Sequence, residues 1–274
     1  MNQLPTYSEL LFSPLFFWPL TVFIGLVFGS FATALSYRLP RGISIVSKAH
    51  STCNSCGRNL TPLDLVPVFS WVLLRGRCRG CGAKIGWRYP LIELATLILC
   101  LGFYARFGAS PATMGMFLLA PVITSIVDID LHYKIIPDSL NLSIAVIALV
   151  VMLAAAIAGG GGPDMLLTMG EGALAGMLAY GLGSIILRQG VMLLLKKDPM
   201  GWGDIKFFAA AGAWLGAGAE GAAAFMLVAG LAGVFLALLW QKLRGEREFP
   251  FGPAIILAFI VVLLWQGPVF LAVP

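Results

Sequence analysis

LNLSIAVIALVVMLAAAIA, residues 140–158, is a run of nineteen residues without one charge. A helix needs about 20 mainly apolar residues to cross the hydrocarbon core of a bilayer, and this stretch supplies them. Seven more apolar stretches repeat the pattern, with approximate cores at 16–37, 90–105, 112–129, 171–195, 205–217, 221–241 and 252–272. The spacing predicts an all-α polytopic membrane protein of about eight transmembrane helices, with 205–217 short for a full crossing. Composition agrees. Of 274 residues, 59% are hydrophobic and 11% charged, where a globular domain carries about 25% charged residues. Mean hydropathy is +0.92. These figures exclude a disordered chain, and five cysteines are too sparse for a disulfide-rich secreted module.

The net charge of +5 suggests a polyanionic partner only until the charges are located. Nine basic residues lie from Arg38 to Arg88, five more are Lys134, Arg188, Lys196, Lys197 and Lys206, and three are Lys242, Arg244 and Arg247. With alternate loops on one side, all three groups face the same compartment and only Arg106 faces the other. The positive-inside rule makes that compartment the cytoplasm and puts both termini outside. The first apolar stretch is preceded by Glu9 alone and followed by Arg38 and Arg41, so it is expected to stay as an anchor. Gly159 to Gly162, followed by Pro163 and Asp164, reads as an outer loop, with no Lys or Ser in P-loop register.

The one sizeable extramembrane segment runs from about residue 38 to 90, between the first and second spans. A piece this small needs a staple. Cys53-Asn54-Ser55-Cys56 and Cys78-Arg79-Gly80-Cys81 are two C-x-x-C pairs, separated by 21 residues. Four thiolates on two such knuckles close a tetrahedron around Zn²⁺, with Gly57, Gly80 and Gly82 permitting tight turns. All four ligand positions are then filled, which marks a structural site. The alternatives are disulfides or a redox motif, disfavoured on a reducing side, and free thiols. Cys100, inside the second span, reads as a small packing residue.

For chemistry the chain offers two histidines, His50 and His132, and no H-E-x-x-H, which argues against a zinc peptidase. Ser184 lies in a span without a nearby histidine and reads as a helix-packing residue. Carboxylates at membrane depth remain, and these are functional candidates by default. The third span ends in Asp128-Ile129-Asp130-Leu131-His132-Tyr133-Lys134-Ile135-Ile136-Pro137-Asp138, and the sixth begins Gly201-Trp202-Gly203-Asp204-Ile205-Lys206. Both groups fall at the cytoplasmic ends of their spans. Two carboxylates brought close together share a proton, giving a base to activate water and an acid to protonate a departing amide. Gly201 and Gly203 are expected to leave room for an extended peptide. The alternative makes these acids solvated helix caps paired with Lys134 or Lys206. Asp128 and Asp130 differ by roughly 200° around a helix, so only one of them can face Asp204.

These residues resemble the type IV prepilin peptidases of bacteria, membrane aspartic peptidases of the Gly-x-Gly-Asp class. The likeness runs through Phe28-Gly29-Ser30-Phe31 and Tyr37-Arg38-Leu39-Pro40-Arg41 to the four cysteines, Phe69-Ser70-Trp71 and Arg88-Tyr89-Pro90-Leu91-Ile92-Glu93. It continues through Asp130 to Asp138, Gly201 to Lys206, Gly212-Ala213-Trp214-Leu215-Gly216 and Pro250-Phe251-Gly252-Pro253. Thr33 stands where the family usually has Asn. The resemblance implies cleavage of the basic leader of type IV prepilins or type II secretion pseudopilins at the cytoplasmic face of the inner membrane. It also implies N-methylation of the new amino terminus with S-adenosylmethionine. Asp130 stands seven residues before Pro137, as the family's first catalytic aspartate does, so the implied dyad is Asp130 and Asp204. The expected division is a first helix (1–37), a zinc-binding segment associated with methylation (38–90) and a peptidase domain (91–274). Nucleic acid is not an expected partner; prepilins and the bilayer are. The rival classes are a proton-coupled transporter and a membrane-tethered module binding nucleic acid or anionic lipid.

Overall fold

The computed structural model describes residues 13–45, 51–196, 198, 200–246 and 248–271. Glu9, Lys48, His50, Lys197 and Arg247 lie outside these described residues. The helices are α1 (Pro14–Arg38), α2 (Phe69–Leu73), α3 (Arg88–Phe107), α4 (Pro111–Phe117), α5 (Leu119–Tyr133), α6 (Asp138–Ala158), α7 (Pro163–Leu195), α8 (Trp202–Leu215), α9 (Ala219–Arg244) and α10 (Gly252–Gln266). Among the described residues there is no sheet, only isolated antiparallel bridges at Thr52–Asn59 and Arg77–Lys84. Seven helical segments are long and apolar enough to cross a membrane. The expected span at 205–217 is α8, fourteen residues long. At 1.5 Å per residue it covers about 21 Å, less than the roughly 30 Å of a hydrocarbon core. Its length is set at the far end by Gly216, whose φ of 72° closes the helix. The third span is α4 and α5 in series. Pro121 has no N–H to donate back to Phe117, and the helix breaks at Leu118.

The chain divides into two compact units, Met1–Ser125 and Ile126–Pro274. In the first, α1 packs on α3 through Gly25 and Gly29, a G-x-x-x-G pair that lets helix backbones approach closely. A Cβ on Gly25 would lie 2.9 Å from Leu97 Cδ1, and one on Gly29 only 2.7 Å from Glu93 Cα. Phe17 stacks on Tyr104 at 5.0 Å. Thr96 and Thr124 share a buried 2.8 Å hydrogen bond. With no water at this depth, such hydroxyls bond inside the protein, as Thr96 also does to Ile92 O.

In the second unit, Gly176 of α7 and Gly212 of α8 meet backbone to backbone, with no space for a Cβ on either. The Trp214 indole, fully buried, donates to Ile144 O of α6 at 3.1 Å. Phe207 meets Phe259 of α10 edge to face. The outer faces of α7 and α9 carry exposed Leu178, Leu182, Ile186, Leu227, Leu231 and Phe235. Apolar residues at this spacing and exposure form a face for lipid.

Candidate active site and metal centre

Asp130 sits in the last turn of α5, 4% exposed, and its Oδ2 accepts the Gly252 N–H at 2.7 Å. Gly252 is the first residue of α10, so its N–H is one of those a helix leaves unpaired, at the end that favours a negative charge. Asp204 is the third residue of α8, and its Oδ2 accepts the Gly201 N–H at 2.9 Å. This is half a capping box, because a glycine has no side chain to return the bond. The two carboxylates lie near enough to interact electrostatically. Among the described residues neither makes a salt bridge: Lys134 pairs with Glu246 at 3.0 Å and Lys206 with Asp138 at 2.6 Å. The pairing with Lys134 or Lys206 that the cap alternative required is therefore not made, although Asp204 does cap its helix.

Asp128 is also buried, with Oδ1 3.5 Å from His132 Nδ1 one turn on. The start of α8 is held from three sides. The Asn141 amide donates to Gly203 O at 3.0 Å, and Arg188 binds Asp198 and Met200 O while its guanidinium lies 4.7 Å from the Trp202 ring. The room expected at Gly203 is filled by the chain itself, since a Cβ there would lie 2.9 Å from Ile136 O. Gly201 is exposed, and a Cβ on it would meet Asp204 and Gly203 N only at ordinary contact distance. Gly252 was not read from the sequence as part of the site. Its signal was a glycine directly before a proline at a helix start.

In the first unit the four cysteine sulfurs lie within 4.8 Å of one another. Zn–S bonds of about 2.3 Å in a tetrahedron put sulfurs roughly 3.8 Å apart, and Cys53 and Cys81 stand at 3.9 Å. All four thiols are free. The donor set thus fits a single metal ion. The two knuckles repeat one backbone design: Cys53 N–H bonds to Arg58 O and Gly57 N–H to Cys53 O, as Cys78 N–H bonds to Ala83 O and Gly82 N–H to Cys78 O. Gly57 and Gly82 both take φ of 71°, which favours glycine. Gly80 does not; it is small because Arg58 crosses it, with Cδ 3.2 Å from a built Cβ. That arginine and Arg79 meet on Asp64, at 2.6 and 3.0 Å, tying the knuckles together. The Thr61 N–H and hydroxyl, with the two guanidinium groups, hold the Asp64 carboxyl below the usual carboxylate range.

Cys100 is fully buried on α3, as a packing residue should be. Ser184 donates to Gly181 O of its own helix at 2.8 Å. Thr33 donates to Ser30 O and lines a cavity of the first unit.

Residues 23–107 match the Bacterial Peptidase A24 N-terminal domain, and residues 116–238 match the Type IV leader peptidase family. A Neisseria gonorrhoeae protein named prepilin leader peptidase/N-methyltransferase is 33% identical over 279 residues, covering 93% of each chain. Its Burkholderia pseudomallei namesake is 32% identical over 98% of this chain and 89% of its own length. An Aeromonas hydrophila protein of the same name is 34% identical over 78% of this chain and 71% of its own. No solved structure matches the chain. With two family segments in order and relatives aligned nearly end to end, this chain belongs to the type IV leader peptidase family, among the prepilin leader peptidases/N-methyltransferases.

Proposed function

We propose that Asp130 and Asp204 form the hydrolytic pair of an endopeptidase that removes the leader from type IV prepilins or pseudopilins at the cytoplasmic face of the inner membrane. The observation that carries this is their convergence. Two carboxylates from helices distant in sequence come to one end of the second unit, where Gly203 packs against Ile136. Among the described residues neither is in a salt bridge with a lysine, Lys134 acting on Asp130 only at longer range. Such a pair holds one proton between two groups. The ionised member takes a proton from water as its oxygen adds to the scissile carbonyl carbon, and the protonated member donates to the carbonyl oxygen. Collapse of the tetrahedral intermediate breaks the C–N bond as the pair delivers a proton to the leaving nitrogen. Gly252 fixes one oxygen of Asp130, which keeps the other available to water and substrate. The pair lies at the end of this unit that carries Lys134 and Lys206, which supports a cytoplasmic orientation.

The same reading gives the first unit the second activity. Segment 38–90 carries N-methylation, and residues 91–274 supply the peptidase. Bound S-adenosylmethionine supplies a methyl group to the deprotonated terminal amine, the C–S bond pair returning to sulfur. Cys53, Cys56, Cys78 and Cys81 hold Zn²⁺, which stabilises the small domain and takes no part in hydrolysis. The test is leader cleavage by purified Asp130→Asn and Asp204→Asn proteins. Loss of cleavage in both, with unchanged thermal melting, is expected; near wild-type cleavage by either overturns the pair.

A further inference from the structure

The first unit has a partly open cavity of about 730 Å³ between α1, the start of α3 and the cysteine knuckles. That lies in the range of cofactor and small-molecule pockets, roughly 300–1,000 Å³. Its wall is mixed: Phe31, Tyr37 and Trp71 give aromatic surface, and Ser30, Thr33 and Thr52 give hydroxyls. Two carboxylates line it. Asp64 is already paired with cations: its Oδ2 accepts from Thr61 and Arg58, and Arg79 lies 3.0 Å from its Oδ1. Glu93 is different. It is 9% exposed, and among the described residues its one hydrogen bond is Oε2 to the Val68 N–H at 2.6 Å, with no cation paired to it. A buried carboxylate is costly without a counter-charge.

Two further features put Glu93 there. Gly29 lets α1 approach α3 so closely that a Cβ would clash with Glu93 Cα, which fixes the floor of the cavity. Val68, the donor to Glu93, sits at φ 63° and ψ −52°, a costly conformation for a β-branched residue. The chain thus holds strain where it secures one oxygen of Glu93, a residue of the cavity wall.

We infer that this cavity is the methyl-donor site, with Glu93 as counter-charge to a cationic centre of S-adenosylmethionine, its sulfonium or its ammonium. This rests on the methyltransferase reading above. The wall also carries Arg38, Lys84 and the Asp64-paired Arg58 and Arg79. A donor with an aromatic base, a ribose diol, a carboxylate and cationic groups suits its rings, hydroxyls and basic side chains, with Glu93 as the one carboxylate without a cation among the described residues. The cavity residues, 27–93, fall inside the segment matching the N-terminal domain, whereas both aspartates of the hydrolytic pair lie in the second unit.

The test is calorimetric binding of S-adenosylmethionine and S-adenosylhomocysteine to the full chain purified in detergent, with leader cleavage on the same samples reporting folding. Ala34 lines the cavity, so Ala34→Phe fills it and is expected to weaken both ligands at least about tenfold. Glu93→Gln keeps the acceptor for Val68 and removes the charge, and should weaken S-adenosylmethionine about tenfold to a hundredfold. Equal weakening of both ligands assigns Glu93 to the ammonium, and selective weakening of the methyl donor assigns it to the sulfonium. If the wild type binds while Ala34→Phe or Glu93→Gln binds within twofold of it, the inference is overturned and the methyltransferase reading stands. If the wild type cleaves leader but binds neither ligand, both fall.

Discussion

Replacing Gly252 by Ala adds one methyl group at the most constrained point of the hydrolytic site. A Cβ there would stand 2.7 Å from Asp130 Oδ2, 2.9 Å from Cγ and 3.0 Å from Cβ. Rotating the carboxylate relieves only the first two contacts, because the aspartate's own Cβ is also too close. Gly252 does not have a positive φ, so the backbone tolerates alanine and the effect isolates this clash. Asp130 must move away, and the 2.7 Å hydrogen bond from the Gly252 N–H is stretched or lost. A hydrogen bond to a charged group contributes about 1.5–3 kcal/mol, and misplacing a catalytic group by 1 Å can cost about a hundredfold in rate. The expected result is a fall in kcat for leader cleavage of about a hundredfold, with KM little changed. Methylation of a pre-cleaved pilin should be retained. The assay is steady-state cleavage of a fluorescent prepilin peptide, with thermal melting as the fold control. A Gly252→Ala protein cleaving within threefold of wild type would refute the argument that this N–H positions Asp130.

Asp128→Asn should lower cleavage far less than Asp130→Asn, because the Asp128 carboxylate lies beside His132, whereas Asp130 is the one held by the Gly252 N–H; the reverse order in a cleavage assay would reassign the dyad. Elemental analysis should find one zinc per chain, and Cys53→Ser or Cys81→Ser should raise proteolysis between residues 45 and 90 while part of the cleavage activity remains. A metal-free protein with disulfides at these positions would contradict that. Single cysteines at residues 60 and 161 should label from opposite faces of the membrane, and labelling of both from one face would break the topology.

The sequence was most legible where one helix face or one short knuckle settles the matter. Hydropathy located the spans because a run such as 140–158 announces itself by length and lack of charge. The metal centre was legible for a similar reason, since each C-x-x-C is local and Gly57 and Gly82 mark its turns. Contacts between distant residues were not legible. Nothing near Asp130 shows that its partner N–H comes from residue 252, because that bond exists only once α10 has packed. Gly203 was read as space for substrate, yet Ile136 occupies that space. Gly25 and Gly29 carry the G-x-x-x-G spacing of close helix packing, but their partner Glu93 lies on a helix that the spacing does not identify. The cavity above Glu93 required the whole first unit to fold.

Mass spectrometry of a prepilin's amino terminus, after incubation with the purified chain, tests the central claim most directly. With S-adenosylmethionine present, the product should be the mature pilin cut at its leader junction and heavier by one methyl group. Without the donor it should be cut and unmethylated. An intact leader under both conditions, from protein that is folded and metal-loaded, would contradict the account.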